Sequence, residues 1–112
     1  MEIEALRKVP LFAHLSDEQL NCVVEQGTDF WLESGTQIAQ QGDPPDGFYI
    51  ILEGQTQWTR NVAGEKVPVV ILQAGEMFAE LILILDEPYP TSGVALTAVH
   101  LFKLAPEAFW QC

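Results

Sequence analysis

Residues 75–94, GEMFAELILILDEPYPTSGV, decide the fold of this 112-residue chain. The initial Gly-Glu pair predicts a turn, and residues 88–93 combine turn-forming residues with two prolines that fix φ. Five apolar residues, 81–85, lie between these turns. Neither periodicity nor propensity shows whether so short a run forms a helix or a buried strand, and both structures stay open.

The choice between helix and strand determines whether this stretch can bind a ligand. In a helix over residues 78–85, the backbone N–H groups of residues 79–82 would lack intrahelical acceptors. Such N–H groups, together with the helix dipole, attract an anion. The alternative is that residues 81–85 form a buried strand.

Composition indicates one globular domain without a membrane span. Hydrophobic residues make up 48% of the chain and charged residues 19%, as in folded domains. No apolar run approaches the roughly 18 residues of a membrane helix, and the acidic N-terminus is unlike a secretory signal. The two cysteines suggest neither a disulfide framework nor a metal cluster. We therefore expect a cytoplasmic protein.

The net charge of −11, from sixteen acidic and five basic residues, limits the partners of the chain. A surface this acidic repels DNA, RNA and anionic membranes, so we expect no direct nucleic-acid contact. The same charge disfavours an anionic ligand unless a local cation offsets it.

Short apolar stretches separated by turn signals predict a mainly β fold. Seven stretches have a strand-like pattern, namely residues 29–32, 36–41, 48–52, 55–60, 66–72, 94–98 and 99–104. Residues 55–60 are the predicted hairpin partner of residues 48–52. Strands at this regular spacing indicate an all-β barrel or jelly roll.

Helical segments are predicted near both ends of the chain. Residues 3–9 have a short helical pattern. Ser16 and Gln19 form a capping box for a second helix, which Gly27 ends. Pro106 suits the first position of a last helix.

Three motifs in order resemble the cyclic nucleotide-binding domain family. They are Leu11-Phe12-x-x-Leu15-Ser16, then Gly42-Asp43 with Phe48-Tyr49-Ile50-Ile51 and Gly54, then Gly75-Glu76 with Phe78-x-Glu80-Leu81 and its apolar run. The third motif is similar to the family's phosphate-binding cassette. The resemblance covers about residue 6 to the C-terminus. It implies a double-stranded β-helix (jelly roll) with short flanking helices and a short helix in the cassette.

The resemblance also implies a cyclic nucleotide, cAMP or cGMP, as the candidate ligand. Glu80 stands where the family has a glutamate that accepts a hydrogen bond from the ribose 2′-hydroxyl, although the helix dipole alone also explains an acid there. The cassette amides would donate to the phosphate, while Thr91 and Ser92 are equally explained as turn residues. The candidate ligand-binding residues are Phe78, Ala79, Glu80, Leu81, Ile82, Tyr89, Pro90, Thr91 and Ser92.

The cassette departs from the family pattern at two positions. Ala79 replaces the usual glycine, and its methyl group penalises a positive φ. The family's phosphate-binding arginine is expected at Tyr89 or Pro90, yet no lysine or arginine occurs between residues 66 and 103. The resemblance is therefore to a divergent branch of the family, with Arg60 as a candidate replacement for the missing cation.

These features lead to one functional hypothesis and two alternatives. Residues 1–112 are interpreted as a non-enzymatic regulatory or sensory domain of a larger bacterial signalling protein, cut before the C-terminal lid helix. Its phosphate site is expected to be degenerate, and its partner a fused output domain such as a sensor kinase or a reductase. Dimerisation is left open. The alternatives are a functional cAMP- or cGMP-binding domain that uses Glu80 and the cassette amides, and the effector domain of a transcription regulator.

A metalloenzyme of the cupin type is disfavoured. Such a site needs a His-x-His pair and further ligands on strands. His14 and His100 are far apart in the sequence and have no acidic or histidine neighbour at ligand spacing. We expect neither a metal site nor catalytic residues.

Overall fold

Eight β-strands form the body of the protein in a computed structural model that describes residues 3–111, except the side chains of Leu11, Phe109 and Trp110. The strands are β1 Thr28–Leu32, β2 Gln37–Ala39, β3 Phe48–Glu53, β4 Gln55–Val62, β5 Glu65–Gln73, β6 Met77–Phe78, β7 Ser92–Ala95 and β8 Val99–Leu104. The helices are α1 Ile3–Arg7, a 3₁₀ turn Pro10–Phe12, α2 Asp17–Gln26, α3 Glu80–Leu85 and α4 Pro106–Gln111.

The strands form two antiparallel four-stranded sheets, as the predicted jelly roll requires. One sheet has the order β1-β8-β3-β6 and the other has the order β2-β7-β4-β5. Buried side chains from both sheets meet in one core, which includes Ile51, Leu101, Trp58 and Ala95. The mainly β fold with short helices is thus confirmed.

Strand β3 is buried on both faces, which explains why it gives the strongest strand signal in the sequence. Phe48 and Ile50 pack toward the helices, in a core that includes Leu6 and Leu20. The alternate residue Ile51 packs between the two sheets. A strand covered on both faces has an unbroken apolar sequence rather than an alternating one.

The predicted hairpin between residues 48–52 and 55–60 is wrong. Strand β3 is flanked by β8 and β6, whereas β4 pairs with β5 and β7 in the other sheet. Gly54 has a φ of +94° at the corner, and a Cβ there would lie 2.3 Å from the Ala98 carbonyl oxygen. The chain therefore changes sheets at a position that requires glycine.

Strand β5 lies at the edge of its sheet and is exposed along most of its length. Trp58 pairs with Val70 and Thr59 with Pro68, so Val69 is an extra residue between them, as in a β-bulge. The hairpin β4–β5 turns at Ala63-Gly64, where both residues have positive φ, as a two-residue type I′ turn demands.

The locally encoded helix signals are confirmed. The Gln19 N–H donates to Ser16 Oγ at 3.2 Å, the Ser16 N–H donates to Gln19 Oε1 at 3.0 Å, and Gly27 is the C-cap of α2. Pro106 opens α4. The family resemblance favours a helix over residues 78–85, and a helix is present there. It begins at Glu80 rather than at residue 78, because Met77–Phe78 pairs with β3 as strand β6.

Several bounds differ from the predictions where short strands meet turns. The second strand is Gln37–Ala39 rather than 36–41, and the seventh is Ser92–Ala95 rather than 94–98. Strand β6 has two residues, too few for a strand pattern in the sequence.

No helix within residues 3–111 is long and apolar enough to cross a membrane. Cys112 lies outside the described residues.

We predict that Gly93→Ala destabilises the protein. Gly93 is buried opposite Trp58, and a Cβ there would meet ring atoms at 2.6 to 2.8 Å. Because this ring is itself buried, the added methyl group should lower the free energy of unfolding by about 1–3 kcal/mol. Urea denaturation measures the change.

Val94→Thr, on the other face of the same strand, is the control and should stay within about 0.5 kcal/mol of wild type. Equal stability of Gly93→Ala and wild type would show that Trp58 does not pack against β7 as described.

Candidate ligand-binding site

The turn from β6 into α3 is made by Ala79. Its φ of 73° and ψ of −3° are left-handed, and its carbonyl accepts the Leu83 N–H at 2.9 Å. The first N–H groups of α3 therefore have no intrahelical acceptor. The helix ends after six residues at Asp86, which is also left-handed with a φ of 56°.

A cavity of about 210 Å³ lies beside this turn. Eight of the nine candidate residues from the sequence line it, namely Phe78, Ala79, Glu80, Leu81, Ile82, Tyr89, Pro90 and Thr91. The sheets add four residues that sequence reasoning missed, namely Trp58, Val70, Leu72 and Met77. Only the pairing of β4 with β5 and β7 brings Trp58 and Val70 to the cassette, and that pairing is not visible in the sequence.

Ser92, the ninth candidate, lies elsewhere. Its Oγ accepts the Gln41 N–H at 2.9 Å, and it lines a groove on another face that contains Lys66. The cause is strand alternation, since the next residue on β7, Gly93, is buried against Trp58.

Tyr89 is one of the two positions, with Pro90, at which the resemblance places an arginine. Its side chain is buried, and its ring lies nearly parallel to that of Trp58 with centroids 6.1 Å apart. Its backbone is fixed on both sides, because its N–H donates to the Asp43 carbonyl and its carbonyl accepts the Gly42 N–H, each at 2.9 Å. An uncharged aromatic ring is thus a rigid part of the cavity wall.

None of the five basic residues lines the cavity. Arg7 and Lys103 form ion pairs elsewhere, and Lys8 and Lys66 line other grooves. Arg60 lies two residues beyond Trp58 on β4, which places it on the same face of the strand, but its side chain is exposed outside the cavity wall.

Glu80 is the charged side chain that lines the cavity. It is half-buried at the first position of α3, and no ion pair or side-chain hydrogen bond to it occurs within residues 3–111. Asp86 and Glu87 follow at the exposed end of the helix. The site therefore carries negative charge without a neutralising partner.

Asp46, which lines a groove together with Tyr89, links two elements of the fold. It accepts hydrogen bonds from Tyr49 Oη and Lys103 Nζ, both at 2.8 Å. Burial alone would raise the pKa of Asp46, but these two hydrogen bonds outweigh it and hold the pKa below its ordinary 3.8. Burial, with the nearby Asp46 charge, raises the pKa of the Tyr89 hydroxyl above its usual range, so the ring stays neutral.

Folding also brings His100 and Asp29 into a contact that no short sequence pattern predicts. His100 Nε2 lies 2.8 Å from Asp29 Oδ2, although 71 residues separate them, and the His100 ring stacks on Trp31 at 4.7 Å. The hydrogen bond to His100 lowers the pKa of Asp29.

Within residues 3–111, no three His, Cys, Asp or Glu side chains converge to hold a metal ion.

Residues 30–112 match the family described as "Cyclic nucleotide-binding domain", and the chain belongs to that family. It is 32% identical over 104 residues to a cAMP-dependent protein kinase regulatory subunit of Aspergillus niger, covering 93% of this chain and 25% of the relative. The regulatory domain of Toxoplasma gondii PKA, solved with cAMP, superposes with a TM-score of 0.90 at 26% identity, covering 97% of this chain and 42% of that one.

A bacterial structure is similar as well. The N-terminal domain of a transcriptional regulator from Streptomyces coelicolor is 30% identical, with a TM-score of 0.86, covering 96% of this chain and 77% of that one. The chain spans about a quarter of the length of the fungal regulatory subunits that it matches.

We predict that Ala79→Gly stabilises the fold. The left-handed conformation costs a residue with a Cβ about 1–2 kcal/mol, partly offset by the greater freedom of glycine in the unfolded chain. The expected gain is up to about 1 kcal/mol in urea denaturation. The same change at Ala95, which is buried in β7, should destabilise. A loss of stability at both positions would contradict a left-handed Ala79.

A second prediction concerns acid stability. Because its pKa is lowered on folding, Asp46 adds stability above the unfolded value of 3.8 and loses it as the pH falls through the lower folded value. The stability difference between wild type and Asp46→Asn should therefore shrink between about pH 5 and about pH 3. A difference that is constant in urea titrations at both pH values would refute this role.

Proposed function

We propose that this chain is a regulatory or sensory domain of a larger signalling protein, without catalytic activity, and that its phosphate site is degenerate. The family membership and the presence of relatives in kinases and transcriptional regulators support a regulatory role. The cavity beside α3 is the proposed sensing site. The output domain would be a fused or bound partner such as a kinase or a reductase.

One observation carries the proposal of a degenerate site, namely a cavity with a buried Tyr89 and no basic lining residue. A charge-assisted hydrogen bond to phosphate is worth roughly 1.5–3 kcal/mol, so its absence weakens binding about tenfold to a hundredfold. The Ala79 methyl group also narrows the approach of a phosphate to the backbone amides of α3.

A ligand in the cavity would act on α3. Glu80, Leu81 and Ile82 line the cavity, and Leu81 is also exposed on the helix surface together with Ile84 and Leu85. A ligand that favours one position of this helix would change the apolar surface offered to a neighbouring segment or domain. Such differential binding is what biases an attached output domain.

The test is calorimetric titration of the protein with cAMP and with cGMP. We expect no binding at micromolar concentrations for wild type. Tyr89→Arg, combined with Ala79→Gly, should raise the affinity for cAMP by about tenfold to a hundredfold, since it adds the cation and frees the approach to the amides. Thermal unfolding establishes that the variant is folded.

The second candidate function is direct binding of cAMP or cGMP. It is favoured by the similarity to a regulatory domain solved with cAMP, and by the place of Arg60 on the same strand face as Trp58. Micromolar binding by wild type that is lost in both Glu80→Ala and Arg60→Ala would replace our proposal with this one. The likeness to a bacterial regulator domain keeps a transcription effector as the third candidate.

A further inference from the structure

We propose that the cavity beside α3 binds a small organic cation with an aromatic body, of the arylalkylamine class. This inference rests on the proposed function, in that it assigns a ligand class to a sensing site where a phosphate is disfavoured. Three independent properties of the cavity support it: its aromatic wall, its charge and its size.

The aromatic wall consists of Trp58, Phe78 and Tyr89. The ring centroids of Trp58 and Phe78 are 4.8 Å apart, with the planes tilted by 55°, and Trp58 and Tyr89 are nearly parallel at 6.1 Å. All three side chains are buried, so their positions are fixed by packing before a ligand arrives. Aromatic rings attract cations through their negative faces, and tryptophan does so most strongly.

The charge of the cavity favours the same ligand. Glu80 supplies a full negative charge with no partner, whereas the first turn of α3 supplies at most about half a positive charge from the helix dipole. The carboxylate therefore sets the local sign. The net charge of −11 adds an attractive field for cations at longer range.

The size of the cavity limits the ligand. At about 210 Å³ it is smaller than the roughly 300–1,000 Å³ of ordinary ligand pockets, so a single ring with a short chain suits it better than a nucleotide. Aliphatic side chains complete the wall, namely Val70, Leu72, Met77 and Ile82. An aryl group would pack against these surfaces while its ammonium group faces Glu80.

The experiment compares three probes that share one ring and differ in charge. Phenethylammonium, neutral 2-phenylethanol and anionic 3-phenylpropionate are titrated into the protein by calorimetry. We expect phenethylammonium to bind at least fivefold more tightly than the alcohol, and 3-phenylpropionate to bind most weakly. Glu80→Gln should remove most of the preference for the cation and leave the affinity for the alcohol within twofold.

Glu87→Gln is the matched control, because Glu87 is an exposed carboxylate at the other end of α3 and does not line the cavity. It should leave the order of the three probes unchanged. Equal binding of the three probes, tightest binding of 3-phenylpropionate, or no binding by any of them would overturn the inference. These results leave the degenerate phosphate site standing, since only the cAMP and cGMP titrations decide it.

Discussion

The left-handed backbone of Ala79 is the constraint on which the candidate site depends. It ends β6 after two residues and turns the chain directly into α3, so Glu80, Leu81 and Ile82 line the cavity instead of pairing with a neighbouring strand. An extended residue at this position would continue the ladder with β3. The conformation persists with an alanine because Ala79 is buried among Tyr49, Trp58 and Phe78, which fix the surrounding backbone.

The character of the cavity follows from where strands place their side chains rather than from composition alone. The chain has five basic residues, but the fold places them in ion pairs, beside other grooves or in solvent, namely Arg7 and Lys8 at the end of α1 and Arg60, Lys66 and Lys103 on strands. Arg60 is the basic residue whose strand position is nearest to the cavity lining, since it shares a strand face with Trp58. An aromatic wall with one carboxylate is what remains for the site.

Sequence reasoning succeeded where the signal is local. The capping box of Ser16 and Gln19 involves residues three apart, and Pro106 acts within its own helix turn. Eight of the nine candidate residues line one cavity because they are close in sequence, and Ser92 lies elsewhere because strand alternation turns it away. The choice of sheet for β4 and the recruitment of Trp58 depend on contacts between distant strands, which no short pattern contains.

The bulge opposite Trp58 has a consequence for solubility. Strand β5 offers a free backbone edge flanked by exposed Val67, Val69 and Ile71, a combination that templates cross-β stacking between copies. Pro68 lacks an N–H and interrupts that edge, and the extra residue beside it distorts the strand. Replacing Pro68 with valine would restore a backbone N–H to the edge of β5 and favour pairing of this edge with another copy of the chain. The negative net charge would then be the main obstacle to fibrillar aggregation.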